Sequence, residues 1–239
     1  MDTVKNIRKQ LAEKLSRREF VGNTIEIIGA TFLADSESIF GTVNHEWNSR
    51  EMKWYLSGST NINDIEEPIP VIWKQVSSKT GEVNSHYGHL LFSEKNGSQY
   101  KNVLEKLKSD PNSRQGQIIM QRPSIHTEWN RDGMHDFICT AYIMMLIRDN
   151  KLVTHYVLRS QDAIFGYRGD LHFCKETQRM MANDLGIECG PIIWTASSLH
   201  VYSRHYYLID NYLKSNGREI TTSKEKYITN YPKSEFLPK

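Results

Sequence analysis

The spacing of apolar and polar residues predicts a chain that mixes amphipathic helices with long strands. One apolar residue in every three or four predicts a helix over residues 3–18 behind an Asp2 or Thr3 cap. The same spacing predicts helices over 44–58, 98–110, 170–185 and 203–215, the last ending near Gly217. β-Branched and apolar runs predict strands over 24–34, 115–124 and 191–202, with a loop over 61–70.

A hairpin is the longest predicted strand unit. Residues 136–147 and 151–159 flank the polar turn "RDNK", and the first of these strands is almost continuously apolar. Such a run is typical of a central strand buried on both faces. Helices and strands in this order, without repeats or a linker, predict an α+β fold in which residues 1–239 form a single domain.

Composition limits the classes of function. The formal net charge of +2 excludes the strong basic field of a dedicated nucleic-acid binder. The three cysteines are odd in number and lack zinc-type spacing, and the nine histidines do not cluster as ligands, so no metal is expected. The N-terminus has no signal-like apolar core, and no long apolar run predicts a membrane segment. We therefore expect a cytoplasmic protein.

The hairpin carries the candidate chemistry. Cys139 lies in its first strand and Arg159 ends its second, so the two should approach each other. A nearby guanidinium favours the thiolate, which is the nucleophilic form of cysteine. Arg159 and Ser160 also offer the donors that a phosphate needs. The pattern indicates a phosphorylated substrate, while packing remains the alternative role for Cys139.

The ordered motifs carry a family resemblance. Cys139, "RSQD" from Arg159, a glycine-containing loop to Asp170 and "LHVY" at 199–202 resemble the thymidylate synthase superfamily. The stretches "TIEIIGATF", "GEVNSHYG", "DPNSR" and "SLHVYSRHYYL" are similar to its phage deoxycytidylate (dCMP) hydroxymethylases, and the likeness runs from Thr24 to Leu208. The resemblance implies a large β-sheet flanked by helices and a cysteine that attacks pyrimidine C6. It also implies transfer of a one-carbon unit from 5,10-methylenetetrahydrofolate, with water completing the hydroxymethyl group.

Asp170 indicates the base, because the synthases carry asparagine at the matching position. Cytosine presents an acceptor at N3 and a donor at N4, which suit a carboxylic acid, or a carboxylate that accepts from N4. Aspartate therefore favours dCMP over deoxyuridylate (dUMP). The alternative role of Asp170 is an N-cap for a helix over 171–185.

The resemblance implies roles for further residues. Glu51 would be the catalytic glutamate that manages protons and water. Arg159 and Ser160 would bind the substrate phosphate, and Arg114 would reach the partner's phosphate across a homodimer interface. His200 and Tyr202 would contact the sugar hydroxyl. Positions around the folate and the catalytic water are matched by Trp73, Asp162 and Tyr87.

Departures from the synthase pattern leave alternatives open. Thr140, Met144 and Leu158 replace usual synthase residues and favour the hydroxymethylase branch. Gln115 stands where a second arginine is usual, with Arg122 as a candidate replacement. The alternatives are a folate-dependent dCMP methylase, a CMP hydroxymethylase, or a degenerate homologue that binds nucleotide or RNA. Other enzymes of nucleotide metabolism are further expected partners, and a phage origin would imply the host cytoplasm.

Overall fold

The computed structural model describes residues 1–215, and these form an α+β structure as predicted. The predicted helix end near Gly217 and the C-terminal tail lie outside the described residues. The helices are α1 Val4–Ser16, α2 His45–Ser57, α3 Val71–Val76, α4 Tyr87–Phe92, α5 Gln99–Ser109, α6 Ile125–Glu128, α7 Phe165–Leu185 and α8 Tyr206–Lys214. The strands are β1 Asp2–Thr3, β2 Phe20–Val21, β3 Thr24–Leu33, β4 Gln117–Ile119, β5 Thr140–Arg148, β6 Lys151–Asp162 and β7 Glu188–Tyr202.

Within residues 1–215 the seven strands form one mixed sheet. Their order is β1-β3-β7-β6-β5-β4, and β2 pairs with β3 outside this path. Strands β3 and β7 are antiparallel over a long register that runs from Thr24 opposite Tyr202 to Leu33 opposite Ile193. The β5–β6 turn places Asp149 and Asn150 at positive φ, as a tight hairpin turn requires. The predicted hairpin is confirmed.

The described chain divides into two compact units. The first comprises Met1–Asn44, Leu158–Lys175 and the described residues from Pro191. Helix α1 packs on β3 and α8 in this unit, and its apolar stripe of Val4, Ile7, Leu11 and Leu15 is buried as predicted. The ring of Tyr167 meets that of Trp194 edge-on at 5.3 Å. This packing holds the start of α7 against the β7 strand.

The second unit comprises His45–Val157 and Glu176–Gly190. Helix α4 packs closely on α2, where a Cβ added to Gly88 would lie only 1.8 Å from the carbonyl oxygen of Tyr55. Glycine is therefore required at position 88. The close approach brings Tyr87 against Tyr55, with ring centroids 5.6 Å apart.

Several predictions need correction. The strand predicted over 136–147 begins only at Thr140, so Cys139 precedes it instead of lying in it. Helix α7 begins at Phe165 rather than near residue 170, so Asp170 lies inside the helix and is not its N-cap. Strand β5 is buried on one face, through Ile143 and Met145, whereas its other face is half exposed. Three short helices, α3, α4 and α6, lie in segments without a predicted helix. The single domain over residues 1–239 stays a prediction.

Candidate active site

Cys139 is the residue immediately before β5 in the second unit. Its side chain is half buried, and Sγ lies 3.8 Å from the carbonyl oxygen of Phe137. Partial exposure distinguishes Cys139 from Cys174, which is fully buried and has its pKa raised by that burial. A thiol that serves as a nucleophile must be reached by its substrate, and Cys139 meets this condition.

Thr140, the next residue, links two tyrosines. Its hydroxyl donates to Tyr87 Oη at 3.1 Å and lies 3.0 Å from Tyr156 Oη. Because the threonine proton goes to Tyr87, Tyr156 is the donor of the second bond. All three side chains are buried. The network joins Tyr87 of α4 to the strand that follows Cys139.

Asp136 joins the same two segments on the other side of Cys139. Its buried carboxylate accepts from the backbone N–H of Asn84 at 2.7 Å and of Ser85 at 2.6 Å, and from Ser85 Oγ at 2.5 Å. Hydrogen bonds to a charged acceptor are stronger than neutral ones. The carboxylate therefore holds the segment before Tyr87 against the segment before Cys139.

Glu51 and Trp73, which were predicted separately, are brought together. Glu51 lies on α2 and is buried, and its Oε1 accepts from the indole N–H of Trp73 at 3.1 Å. The ring of Trp73 packs edge-on against Trp54 at 5.2 Å. The indole bond helps to orient the buried carboxyl group of Glu51.

His86 stays neutral beside this cluster. Burial lowers the pKa of His86 to about 4, against the hydrogen bond to Trp54, which raises it. Its Nδ1 accepts from the backbone N–H of His89 at 2.7 Å, so Nε2 carries the proton and donates to the carbonyl of Trp54 at 3.1 Å. Both ring nitrogens form hydrogen bonds. A second proton, placed on Nδ1, would break the bond from the backbone N–H of His89.

The first unit carries the residues predicted on β6. Arg159 is exposed, Ser160 and Asp162 are half buried, and Asp162 Oδ1 accepts from the N–H of Ile164 at 3.0 Å. Burial lowers the pKa of His205 to about 4; Asp162 raises it, and Arg204 and Arg168 lower it further. A buried neutral histidine thus lies close to the carboxylate predicted near the folate.

Asp170 lies in the second turn of α7, where it is held by a residue that the sequence analysis did not single out. The side-chain amide of Gln161 donates from Nε2 to Asp170 Oδ2 at 3.0 Å. Gln161 is the third residue of the "RSQD" motif. Its contact with Asp170 depends on the path of the chain from the end of β6 to the start of α7, which the motif does not reveal. Asp136 and Tyr156 were missed for the same reason, because their contacts join segments distant in sequence.

His200 and Tyr202 lie together on β7, as their spacing predicted. Their rings meet edge-on at 4.9 Å, and the guanidinium of Arg204 lies 4.2 Å from the Tyr202 ring. Glu26 lies opposite His200 in the β3–β7 register, and its carboxylate accepts from Ser198 Oγ at 2.6 Å. These half-buried side chains form a polar patch on one face of the strand pair.

Arg114 is exposed on the turn between α5 and β4. Arg122, the candidate replacement for the second arginine, pairs instead with Glu128 at 2.5 Å and donates to Asn84 Oδ1 at 3.2 Å. Among residues 1–215 no three side chains of the metal-ligating types converge on one point. No described helix is both long and apolar enough to cross a membrane.

Comparison with known sequences identifies the family. The sequence profile of thymidylate synthase matches residues 1–234. The chain belongs to the thymidylate synthase family. It is 42% identical over 241 residues to deoxycytidylate 5-hydroxymethyltransferase of Enterobacteria phage T4, covering 96% of this chain and 97% of the phage protein. The protein of the same name from phage T6 is 43% identical over 230 residues, which cover 91% and 94% of the two chains.

Cellular members of the thymidylate synthase family are more distant. Thymidylate synthase of Vesicomyosocius okutanii is 27% identical over 184 residues, covering 74% of this chain and 67% of that enzyme. The predicted fold and the predicted resemblance to the hydroxymethylase branch are confirmed. The structure brings Glu51 to Trp73, Tyr87 to the residue after Cys139, and His200 to Tyr202. The predicted approach of Arg159 to Cys139 stays a prediction.

Proposed function

We propose that this protein is a deoxycytidylate 5-hydroxymethyltransferase. It converts dCMP, 5,10-methylenetetrahydrofolate and water to 5-hydroxymethyl-dCMP and tetrahydrofolate. The observation that carries the proposal is a carboxyl group at position 170, held by Gln161 within a chain that belongs to the thymidylate synthase family. The names of the two phage relatives, both similar over more than nine-tenths of this chain, support the same activity.

Cys139 is the nucleophile of the proposed reaction. As a thiolate, Sγ forms a bond to C6 of the cytosine, which makes C5 nucleophilic toward the one-carbon unit. C5 forms a bond to the one-carbon unit and loses its proton, and the departure of tetrahydrofolate leaves an exocyclic methylene group on the base. Water adds to this carbon, and Sγ leaves C6 to give 5-hydroxymethyl-dCMP. The half-buried position of Cys139 allows a flat base to reach the sulfur while its neighbours limit water.

Asp170 reads the base. As a carboxylate it accepts from the exocyclic amino group of cytosine, and as an acid it also donates to N3. Uracil has an oxygen where cytosine has this amino group. The carboxylate oxygen would then face another hydrogen-bond acceptor instead of a donor. Such a mismatch of buried polar groups separates two substrates more strongly than a difference in size does.

Glu51 and Tyr87 manage protons and water. The buried carboxyl of Glu51 is oriented by Trp73, and the hydroxyl of Tyr87 is oriented by Thr140. Since Thr140 donates to Tyr87, the proton of Tyr87 points away from Thr140 and can serve another acceptor. Positioned donors and acceptors of this kind are what general acid and base catalysis needs.

The second unit offers a surface that fits the co-substrate. Val71 and Ile72 of α3 are about half exposed, at 53% and 50%, beside the half-buried ring of Trp73. Exposed apolar side chains around an indole suit the flat aromatic rings of a folate. When bound, methylenetetrahydrofolate supplies a one-carbon unit at the oxidation level of formaldehyde. Trp73, Tyr87 and Asp162 are the residues proposed to bind it.

The remaining residues bind the nucleotide. Arg159 and Ser160 hold the phosphate, because a guanidinium and a hydroxyl supply charge-assisted and neutral donors. His200 and Tyr202 contact the sugar hydroxyl from their shared face. The chain acts as one catalytic domain over residues 1–239 in the cytoplasm, with other enzymes of nucleotide metabolism as further partners.

A homodimer completes the proposed phosphate site. Arg114 of one protomer reaches the partner's phosphate, which its exposed position on a turn would allow. Ile28 supports a second copy on the sheet, because it is 72% exposed in the middle of β3, although it is large and apolar.

Mixed dimers test this arrangement. Inactive Arg114→Ala and Cys139→Ala proteins should regain activity when mixed, and a lack of recovery would refute the shared site.

Mass spectrometry of the nucleotide product is the decisive experiment. The protein is incubated with methylenetetrahydrofolate and either dCMP or dUMP. Gain of CH2O on dCMP supports the proposal. Gain of CH2 with formation of dihydrofolate would indicate a methylase, and reaction of CMP in preference to dCMP would indicate a ribonucleotide enzyme. Nucleotide binding without turnover would indicate a binding protein.

Two substitutions test the assigned roles. Cys139→Ala should abolish turnover while nucleotide binding persists, and Cys189→Ala, at an exposed cysteine, is the matched control. Turnover by the Cys139→Ala protein would exclude the covalent mechanism. Asp170→Asn should weaken use of dCMP relative to dUMP, and an unchanged preference would exclude Asp170 as the reader of the base.

A further inference from the structure

Gln161 is a buried amide whose donor is directed at the base-reading carboxyl group. Its side chain is 2% exposed, and Nε2 lies 3.0 Å from Asp170 Oδ2. The second contact of Nε2, with the backbone oxygen of Asp162, is long at 3.4 Å. The bond to Asp170 is therefore the strong polar contact that orients this side chain.

Packing fixes the amide in place. A Cβ added to Gly166 would lie 2.7 Å from Gln161 Nε2 and 3.3 Å from the Cβ of Asp162. The first turn of α7 thus lies directly against the amide, and its second turn carries Asp170. A longer or differently directed side chain at position 161 would displace this turn. The position of the donor is set by the chain around it as well as by the carboxylate.

The other end of the amide points to a role beyond packing. Among residues 1–215, Gln161 Oε1 is buried without a hydrogen-bond partner. A buried polar atom without a partner costs free energy that an apolar side chain of the same size would avoid. Rotation of the amide by 180° exchanges its donor and its acceptor with little change of shape. The same side chain can therefore hold Asp170 as a carboxylate, through Nε2, or as an acid, through Oε1.

We propose that Gln161 is the positioning residue that orients Asp170 and thereby determines the preference for cytosine over uracil. The inference rests on the proposed function, because it assumes that Asp170 reads the base. The amide holds Oδ2 in place, which favours one orientation of the carboxyl group toward the base. Without the amide this hold on Oδ2 is lost, which weakens the two-point contact with cytosine more than any contact with uracil.

Binding of the two nucleotides tests the inference. The dissociation constants of dCMP and dUMP are measured by calorimetry for the wild type and for Gln161→Met, which keeps the length but has no amide. We expect the preference for dCMP to fall about tenfold, the effect of one charge-assisted hydrogen bond. Gln178→Met is the matched control, since Gln178 is equally buried but donates to the backbone carbonyls of Leu152 and Gly190. It should leave the preference unchanged.

A second variant and a double-mutant cycle separate positioning from general damage. Gln161→Leu removes both the donor and the acceptor of the amide, so it should also lower the preference. In an Asp170→Ala background, Gln161→Met should have no further effect on the ratio of the two constants. Equal weakening of both nucleotides, or an unchanged ratio in whichever variant folds, would overturn the inference. A wild type that binds dCMP no better than dUMP would instead overturn the proposed function.

Discussion

Removal of the Asp136 carboxylate should be one of the most destabilising single changes near Cys139. The side chain is 7% exposed and accepts three hydrogen bonds, from the N–H groups of Asn84 and Ser85 and from Ser85 Oγ. Asp136→Ala leaves these donors buried without their acceptor. Each bond to a charged group contributes about 1.5–3 kcal/mol, but the three share one carboxylate and are not additive.

We therefore expect Asp136→Ala to lower the free energy of unfolding by about 3–5 kcal/mol, a large share of the about 5–15 kcal/mol that holds a typical domain together. Asp136→Asn keeps one oxygen for the two N–H groups, and the hydroxyl of Ser85 can turn to accept from the new amide. Only the charge is lost, so the expected cost is smaller, about 1–2 kcal/mol. The predicted order of stability is wild type, Asn, Ala.

Urea unfolding followed by tryptophan fluorescence measures these differences. With a slope of about 3 kcal/mol per molar urea, the midpoint for Asp136→Ala should fall by about 1–2 M. Asp64→Ala is the control, since Asp64 is exposed and accepts a hydrogen bond from Ser59 Oγ. A loss for Asp136→Ala below about 1 kcal/mol, or no larger than that of the control, would refute the reasoning.

Three further changes have defined outcomes. Gly88→Ala should destabilise the protein by about 3 kcal/mol or more, because the new Cβ would overlap the carbonyl of Tyr55. A melting temperature within about 2 °C of the wild type, roughly the measurement error, would contradict this. Thr140→Val should lower stability by about 1–3 kcal/mol by leaving the hydroxyl of Tyr87 without its donor, whereas Thr140→Ser should restore it in the same melting assay. His86 has a pKa of about 4 when folded and about 6.5 when unfolded, so the unfolded chain binds more protons between these values and stability falls as the pH drops. His86 should contribute about 1.4 kcal/mol to the loss from pH 7.5 to 5.5, and a His86→Gln protein that loses as much as the wild type would contradict the assignment.

The parts of the fold that could be predicted from the sequence are those fixed by local spacing. Helix α1, strand β3 and the β5–β6 hairpin follow from apolar periodicity and from two turn residues that tolerate positive φ. The end of α7 was also predictable, because Gly186 adopts a positive φ directly after it. These signals act within a few residues and need no knowledge of the tertiary structure.

The start of α7 could not be predicted in the same way. Gly166 and Gly169 lower helix propensity and indicate a loop. Tertiary contacts reverse that preference, since Tyr167 is fully buried against Trp194 and donates to the backbone oxygen of Ser36. The displaced helix start has a consequence for the site. Asp170 becomes a side chain within a helix, which supports the base recognition proposed for it better than a loop would.

The contacts around Cys139 could not be predicted from sequence patterns, because they join segments that are distant in the sequence. Asp136, three residues before Cys139, and Thr140, one residue after it, each bond to the segment from Asn84 to Tyr87. The cysteine is thus held between two polar contacts made to a single neighbouring segment. A reacting sulfur misplaced by 1 Å can cost about 100-fold in rate. Two fixed points on either side of the residue restrict such movement, whereas one contact would still allow the backbone at Cys139 to pivot.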